Sequence, residues 1–153
     1  WYFFDVAVRL DLTLASGQAV QGTAVDTVLE IERFVTSNRD DTIIGTAGAE
    51  WFYPLAGNDT ITGNGGADWL AYNTWSWNLG VTQGATIDLG TGIATDPWGG
   101  TDRFTGIRNV SGSALNDTIL GDAAATVPSY LDGFSGSDRI DGRGNPNNVA
   151  DYL

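Results

Sequence analysis

The chain has 153 residues, enough for one ordinary domain or for two short repeats sharing a core. Its formal charge is −12, from 19 acidic residues against 7 basic ones that are all Arg, so its surface repels nucleic-acid phosphate and anionic lipid and attracts multivalent cations. Cys and His are both absent, which excludes disulfides, thiolate and imidazole ligands and the usual near-neutral general base, and leaves hard oxygen ligands suited to Ca²⁺ or Mg²⁺. No apolar run reaches the roughly eighteen residues that would span a bilayer. With Trp1 in place of an initiator Met and no signal pattern, the chain is expected to be a processed or excised segment.

In chain order, WYFF at 1–4 is expected to be an end strand covered by a neighbour or a frayed terminus. VRLDLTLASG at 8–17 and DTVLEIERF at 26–34 follow, and both recur later. From there acidic residues repeat every nine positions, at Glu32, Asp41, Glu50, Asp59 and Asp68. Two positions after each stands an apolar residue: Phe34, Ile43, Phe52, Ile61 and Leu70. The preference of Asp for turns explains the residue type but not the fixed step. Trp69, Tyr72, Trp75 and Trp77 are expected to pack the 73–84 connection onto the coil, with sugar stacking or an interface as the less favoured readings.

A second copy begins at ATIDLGTGIA, 85–94, the counterpart of 8–17. DRFTGIRNV at 102–110 parallels 26–34, and SALNDTILG at 113–121 parallels SNRDDTIIG at 37–45, with offsets of 76 to 79 residues. Its rungs read Arg108 and Val110, Asp117 and Ile119, Ser129 and Leu131, Asp138 and Ile140, then Asn147 and Val149. The apolar ladder is complete there, whereas carboxylates survive only at Asp117 and Asp138. The chain is an internal duplication, with halves expected at 1–80 and 81–153.

A short strand such as Thr60-Ile61-Thr62 points its middle side chain inward, and the glycines around it permit tight reversals with exposed carbonyls. Two nine-residue steps then complete one coil of a flattened right-handed spiral, stacking Asp41 on Asp59 along one edge and Glu50 on Asp68 along the other. Coils lie about 4.8 Å apart, where stacked carboxylates repel unless a cation lies between them. The expected fold is all-β, a right-handed parallel β-roll or β-helix solenoid with two duplicated calcium-binding halves.

The stretch LAGNDTITGNGGADWLAY, 55–72, resembles the calcium-binding nonapeptide GGxGxDxUx of the repeats-in-toxin (RTX), or haemolysin-type, family, in which U is a large apolar residue. IRNVSGSALNDTILGD and ATIDLGTGIA are similar to segments of large secreted RTX proteins. The resemblance implies several Ca²⁺ ions, held by the side chains of Asp41, Asp59, Asp68, Asp117 and Asp138 and the carbonyls of Gly57, Gly66 and Gly136, with Asn64 and Asp122 as turn contributors. Arg39 replaces a family glycine, Glu50 replaces Asp, and Ser129 and Asn147 lack a carboxylate, so fewer ions than rungs are expected. The Asn-Asp-Thr triplets at 58 and 116 match a glycosylation sequon but are better explained by this motif.

No His, Cys or Lys accompanies the repeated carboxylates, so no enzymatic role is expected. The resemblance implies a secreted bacterial protein, extracellular or at the cell surface, that folds on binding calcium. The favoured function is a structural module of an adhesin, surface layer or filament that associates head to tail. The alternative is a calcium-triggered folding and secretion appendage of an enzyme whose catalytic domain lies elsewhere. Copies of itself and glycans are the expected partners, and nucleic acid and membrane insertion are not.

Overall fold

The computed structural model describes residues 6–73 and 80–151. WYFF, Trp75, Trp77 and the final Tyr152-Leu153 lie outside the described residues. What is described is all-β, with sixteen strands in two mostly parallel sheets and no helix.

The first eight strands are β1 (Val8–Asp11), β2 (Gln18–Gln21), β3 (Ala24–Thr27), β4 (Arg33–Val35), β5 (Thr42–Ile44), β6 (Trp51–Tyr53), β7 (Thr60–Thr62) and β8 (Trp69–Ala71). The second eight are β9 (Thr86–Asp88), β10 (Ile93–Thr95), β11 (Thr101–Thr105), β12 (Asn109–Ser111), β13 (Thr118–Leu120), β14 (Tyr130–Asp132), β15 (Arg139–Asp141) and β16 (Val149–Asp151). One sheet runs β15-β13-β9-β10-β11-β7-β5-β1-β2-β3, the other β16-β14-β12-β8-β6-β4.

Strands this short cannot stand alone; most are held by a parallel neighbour from elsewhere in the chain. Ile43 pairs in parallel with Ile61, and Phe34 with Phe52, both eighteen residues on. Phe52 then pairs with Leu70. Because the side-chain period of a strand is two, keeping the middle residue of each strand in register puts every apolar rung on the same face. Ile43, Phe52, Ile61, Leu70, Ile87, Val110, Ile119 and Leu131 are accordingly buried in one contiguous core.

Eight strands fall on each side of residue 80, and the two sets pair alike. β1 runs antiparallel to β2 and β2 to β3, while β1 is parallel to β5; β9, β10, β11 and β13 repeat these relations. The sets join where β7 takes β11, with Ile61 opposite Phe104, and β8 takes β12, with Leu70 opposite Val110. Both sheets are therefore continuous across the two sets of strands.

The last rung differs from the expected one by a single residue. Leu131 pairs with Ala150, not with Val149, so Asn148 rather than Asn147 occupies the rung position. The extra residue is absorbed in the preceding turn, where Asn145 N–H donates to Gly142 O (3.1 Å) and the Asn148 amide donates to the same carbonyl (3.1 Å). Asn148 Oδ1 in turn accepts from Ser129 N–H at 3.3 Å, as a rung aspartate would.

Candidate functional site: a column of stacked carboxylates

The parallel pairing places these rung carboxylates beside the peptide that leads into the paired strand. Asp41 N–H donates to Asp59 Oδ1 at 2.7 Å, Glu50 N–H to Asp68 Oδ1 at 2.9 Å and Asp117 N–H to Asp138 Oδ1 at 2.8 Å. At the start of each half, Val8 N–H donates to Asp41 Oδ1 at 2.6 Å and Ala85 N–H to Asp117 Oδ1 at 2.5 Å. The structure thus brings together Asp41 with Asp59, Glu50 with Asp68, and Asp117 with Asp138.

The turns that present these side chains are of two kinds. At Asp41 and Asp117 the residue four positions earlier is Ser. Ser37 N–H donates to Asp41 Oδ2 and its hydroxyl to Oδ1, both at 2.7 Å, and Ser113 makes the same two bonds to Asp117, both at 2.7 Å. Thr46 caps Glu50 in the same way through its N–H and hydroxyl. At Asp59, Asp68 and Asp138 the equivalent residues are Leu55, Asn64 and Phe134, all in the left-handed region at φ +69°, +65° and +65°. These turns supply no hydroxyl cap. Asp59 Oδ2 and Asp68 Oδ2 are buried with no hydrogen-bond partner among the described residues. Each stacked pair therefore joins one capped carboxylate to one from an uncapped turn.

Glycines shape the uncapped turns. A Cβ on Gly63 would lie 2.4 Å from Asp68 Oδ2, so only glycine leaves the carboxylate its place. Gly66, at φ +85°, faces the Gly48 carbonyl so closely that a Cβ would sit 1.7 Å from it. Gly57 and Gly136 occupy the same position, against the carbonyls of Arg39 and Leu115. At Gly63 a main-chain oxygen shares the space beside the carboxylate, since the same Cβ would lie 2.6 Å from Gly106 O. Asn64 is a brace, its amide donating to Gly45 O at 3.0 Å. Asp122 stands apart from the column, in the turn that follows β13, where its Oδ1 accepts from Ala124 N–H at 2.8 Å. Asp117 and Asp138 stand in turns that precede their strands.

Burial dominates the electrostatics. Asp59 is 1% exposed and Asp68 0%. Loss of water pushes the Asp59 carboxyl up to about 9, with the charges of Asp102 and Asp41 adding to the effect. Burial raises Asp68 to about 7, with Glu50 contributing through a hydrogen bond and its charge. Asp117 is also raised by burial, against the lowering hydrogen bonds from Ser113. A divalent cation placed among these groups would reverse this pressure.

Two acidic residues of the column escaped the sequence reading. Asp102 Oδ1 accepts from Asp59 N–H at 2.9 Å and its Oδ2 from the buried Tyr72 hydroxyl at 2.5 Å, so Asp102 is the next rung beyond Asp59. Burial raises it to about 6, with the Asp96 charge adding. Asp96 reaches the same turn, its Oδ2 accepting from Gly57 N–H at 3.3 Å and its Oδ1 from Gly100 N–H at 2.9 Å. A signal was present, since Asp102 stands two residues before the buried Phe104 and directly follows Gly99-Gly100-Thr101. Counting by nines from Asp68 steps over it because the β9–β10 hairpin intervenes.

Comparison with known protein families found no match, and comparison with curated proteins found none that is significant. The chemistry of the column has to be judged from its own donor set. Among the described residues no group of three or more acidic side chains is arranged to hold an ion alone. An ion would have to combine two carboxylates with the turn carbonyls packed beside them, an all-oxygen set that suits a hard, large cation. The two unpartnered buried carboxylate oxygens and the glycine-lined space fit that requirement.

On the outer face of the six-stranded sheet, Trp51 and Trp69 stack with centroids 4.3 Å apart, Tyr130 continues the column 6.2 Å from Trp69, and the Arg33 guanidinium lies 5.4 Å over Trp51. Trp69 therefore belongs to a surface stack that includes Trp51, whereas Tyr72 belongs to the core.

Proposed function

We propose that the chain is a calcium-binding structural module of a secreted, RTX-like bacterial protein, wound as a right-handed parallel β-roll and folding as it takes up Ca²⁺. The observation that carries this reading is the pair of buried, unpartnered oxygens, Asp59 Oδ2 and Asp68 Oδ2, one in each of two carboxylate columns whose strands pair at an eighteen-residue step. A buried unpaired carboxylate oxygen costs several kcal/mol unless something compensates it, and a protein rarely keeps two in identical turns without use for them. Asp41 with Asp59, Glu50 with Asp68, and Asp117 with Asp138 would each hold an ion together with turn carbonyls, and Asp59 with Asp102 would hold one more. The ion supplies neutralisation of paired negative charge. The chain's own part is to stack the carboxylates, cap Asp41, Glu50 and Asp117 with Ser37, Thr46 and Ser113, hold Asp102 through the Tyr72 hydroxyl, and keep their partners in uncapped turns.

A net charge of −12 with no Lys and no disulfide gives a metal-free chain that repels itself. At ten times its dissociation constant each site adds about 1.4 kcal/mol, so four sites rival the stability of a small domain. Extracellular modules commonly bind Ca²⁺ with constants near ~10⁻⁴–10⁻³ M, which ties folding to arrival outside the cell. Isothermal titration with CaCl₂, followed in parallel by circular dichroism, tests the reading. It predicts uptake of three or four ions per chain with a gain of β signal. A full β spectrum in excess EGTA, unchanged by calcium, would remove its basis.

A further inference from the structure

We infer that the two ends of the molecule are complementary docking edges for a second copy of this chain, joined through the same pairing that joins its own halves. The inference rests on the coil-stacking part of the proposed function and not on the ion. Inside the chain, β7 and β8 end the first set of eight strands and receive β11 and β12 of the second. The counterparts of β7 and β8 are β15 and β16; the counterparts of β11 and β12 are β3 and β4. Those four strands are the terminal ones of the two sheets, β15 and β16 at one end and β3 and β4 at the other. Each end thus offers the edges that the internal junction shows to be compatible.

The register follows from the internal one. Arg103 opposite Thr60 and Phe104 opposite Ile61 become Thr27 opposite Arg139 and Val28 opposite Ile140 of the second copy. In the other sheet Asn109 opposite Trp69 and Val110 opposite Leu70 become Arg33 opposite Val149 and Phe34 opposite Ala150. Burial supports an occupant. Asp102 is fully buried at the internal junction, whereas its counterpart Asp26 is exposed, and among the described residues no carboxylate accepts from Asp138 N–H as Asp102 does from that of Asp59. Val25, Leu29, Ile31 and Val35, the most exposed large apolar side chains described at 50–62%, all lie along the β3–β4 end. A pair of sheet edges that no described strand pairs, beside such a patch, favours strand addition. Because the two edges differ, the contact is heterologous and continues into a fibre unless it closes.

Directly paired residues of adjacent strands lie about 4.8 Å apart, within disulfide range, and the chain has no Cys of its own. Thr27→Cys and Arg139→Cys chains, both altered at exposed positions, are purified separately, mixed in CaCl₂ and oxidised mildly. The inference predicts that the mixed disulfide exceeds both like-with-like dimers at least tenfold, and that a chain carrying both substitutions forms a ladder of oligomers on a non-reducing gel. A statistical mixture of dimers, or none, overturns it. Light scattering on Thr27→Pro, which lacks the N–H equivalent to that of Arg103 on Asp59 O (2.8 Å), must show smaller particles than the unaltered chain; equal size overturns it as well. Calcium uptake measured on the same samples separates the two readings. Assembly without uptake defeats the calcium reading alone, and uptake without preferential mixed disulfides defeats this one alone.

Discussion

Replacing Asp59 by Asn changes one oxygen to an NH₂ group and removes a charge while leaving Oδ1 to accept from Asp41 N–H (2.7 Å). In the metal-free chain this removes a carboxylate whose charge is penalised by burial and by Asp102 and Asp41. With the folded carboxyl at about 9 and its ordinary value at 3.8, holding Asp59 protonated at pH 7.5 costs at most ~5 kcal/mol, at ~1.4 kcal/mol per pH unit. Relaxation and water entry reduce that bound, and the amide that replaces Oδ2 is itself buried and costs about 1–3 kcal/mol where it lacks an acceptor. Asp59→Asn is therefore expected to stabilise the chain by about 1–3 kcal/mol in EGTA. In CaCl₂ the gain is cancelled or outweighed. Asp59 stands in two pairs, with Asp41 and with Asp102, and losing both sites at tenfold saturation takes away about 3 kcal/mol, which set against the metal-free gain leaves the variant between unchanged and about 2 kcal/mol less stable. Urea midpoints followed by the fluorescence of the six tryptophans read both numbers. A gain in CaCl₂ as large as the gain in EGTA, or a loss in EGTA, would refute the reasoning.

Other perturbations probe separate parts of the account. Because burial raises Asp59, Asp68 and Asp102 above their ordinary values, the folded metal-free chain binds more protons than the unfolded one, so its stability is greatest below about pH 4 and falls as pH rises through about 6, 7 and 9. Calcium affinity, which needs the ionised forms, rises over the same range, and denaturation midpoints at pH 5 and 8 with and without CaCl₂ should move in opposite directions. Gly66→Ala should destabilise by about 2–4 kcal/mol in thermal melts, since its Cβ lands 1.7 Å from Gly48 O, whereas Asn64→Gly, at φ +65°, should stay within about 1 kcal/mol of the unaltered chain. Ile61→Ala removes a rung 1% exposed between Ile43 and Phe104 and should cost about 2–5 kcal/mol in urea melts with or without calcium.

The strand positions from Phe34 to Leu70 were readable because a fixed step of nine, with an apolar residue two places after each acid, admits one register. The eighteen-residue pairings of Phe34 with Phe52 and Ile43 with Ile61 follow from it. Three features were not readable. The antiparallel excursions β1-β2-β3 and β9-β10-β11 carry no nine-residue step, so the placement of Asp102 over Asp59 depends on a pairing forty-three residues apart. The shift from Asn147 to Asn148 depends on how many residues the Gly142–Asn147 turn absorbs, which is settled by hydrogen bonds to Gly142 O rather than by composition. The difference between capped and uncapped turns was present in the sequence as Ser37, Thr46 and Ser113 against Leu55, Asn64 and Phe134. It acquires meaning only once the left-handed φ of the second group is seen.

The most direct test is a diffraction or cryo-EM map of the chain prepared in millimolar CaCl₂, examined at the space bounded by Asp41, Asp59 and the adjoining turn carbonyls. The account predicts density for an ion there, within about 2.3–2.6 Å of carboxylate oxygens from both coils. A well-ordered Asp59 Oδ2 facing that space with no ion beside it would contradict the account.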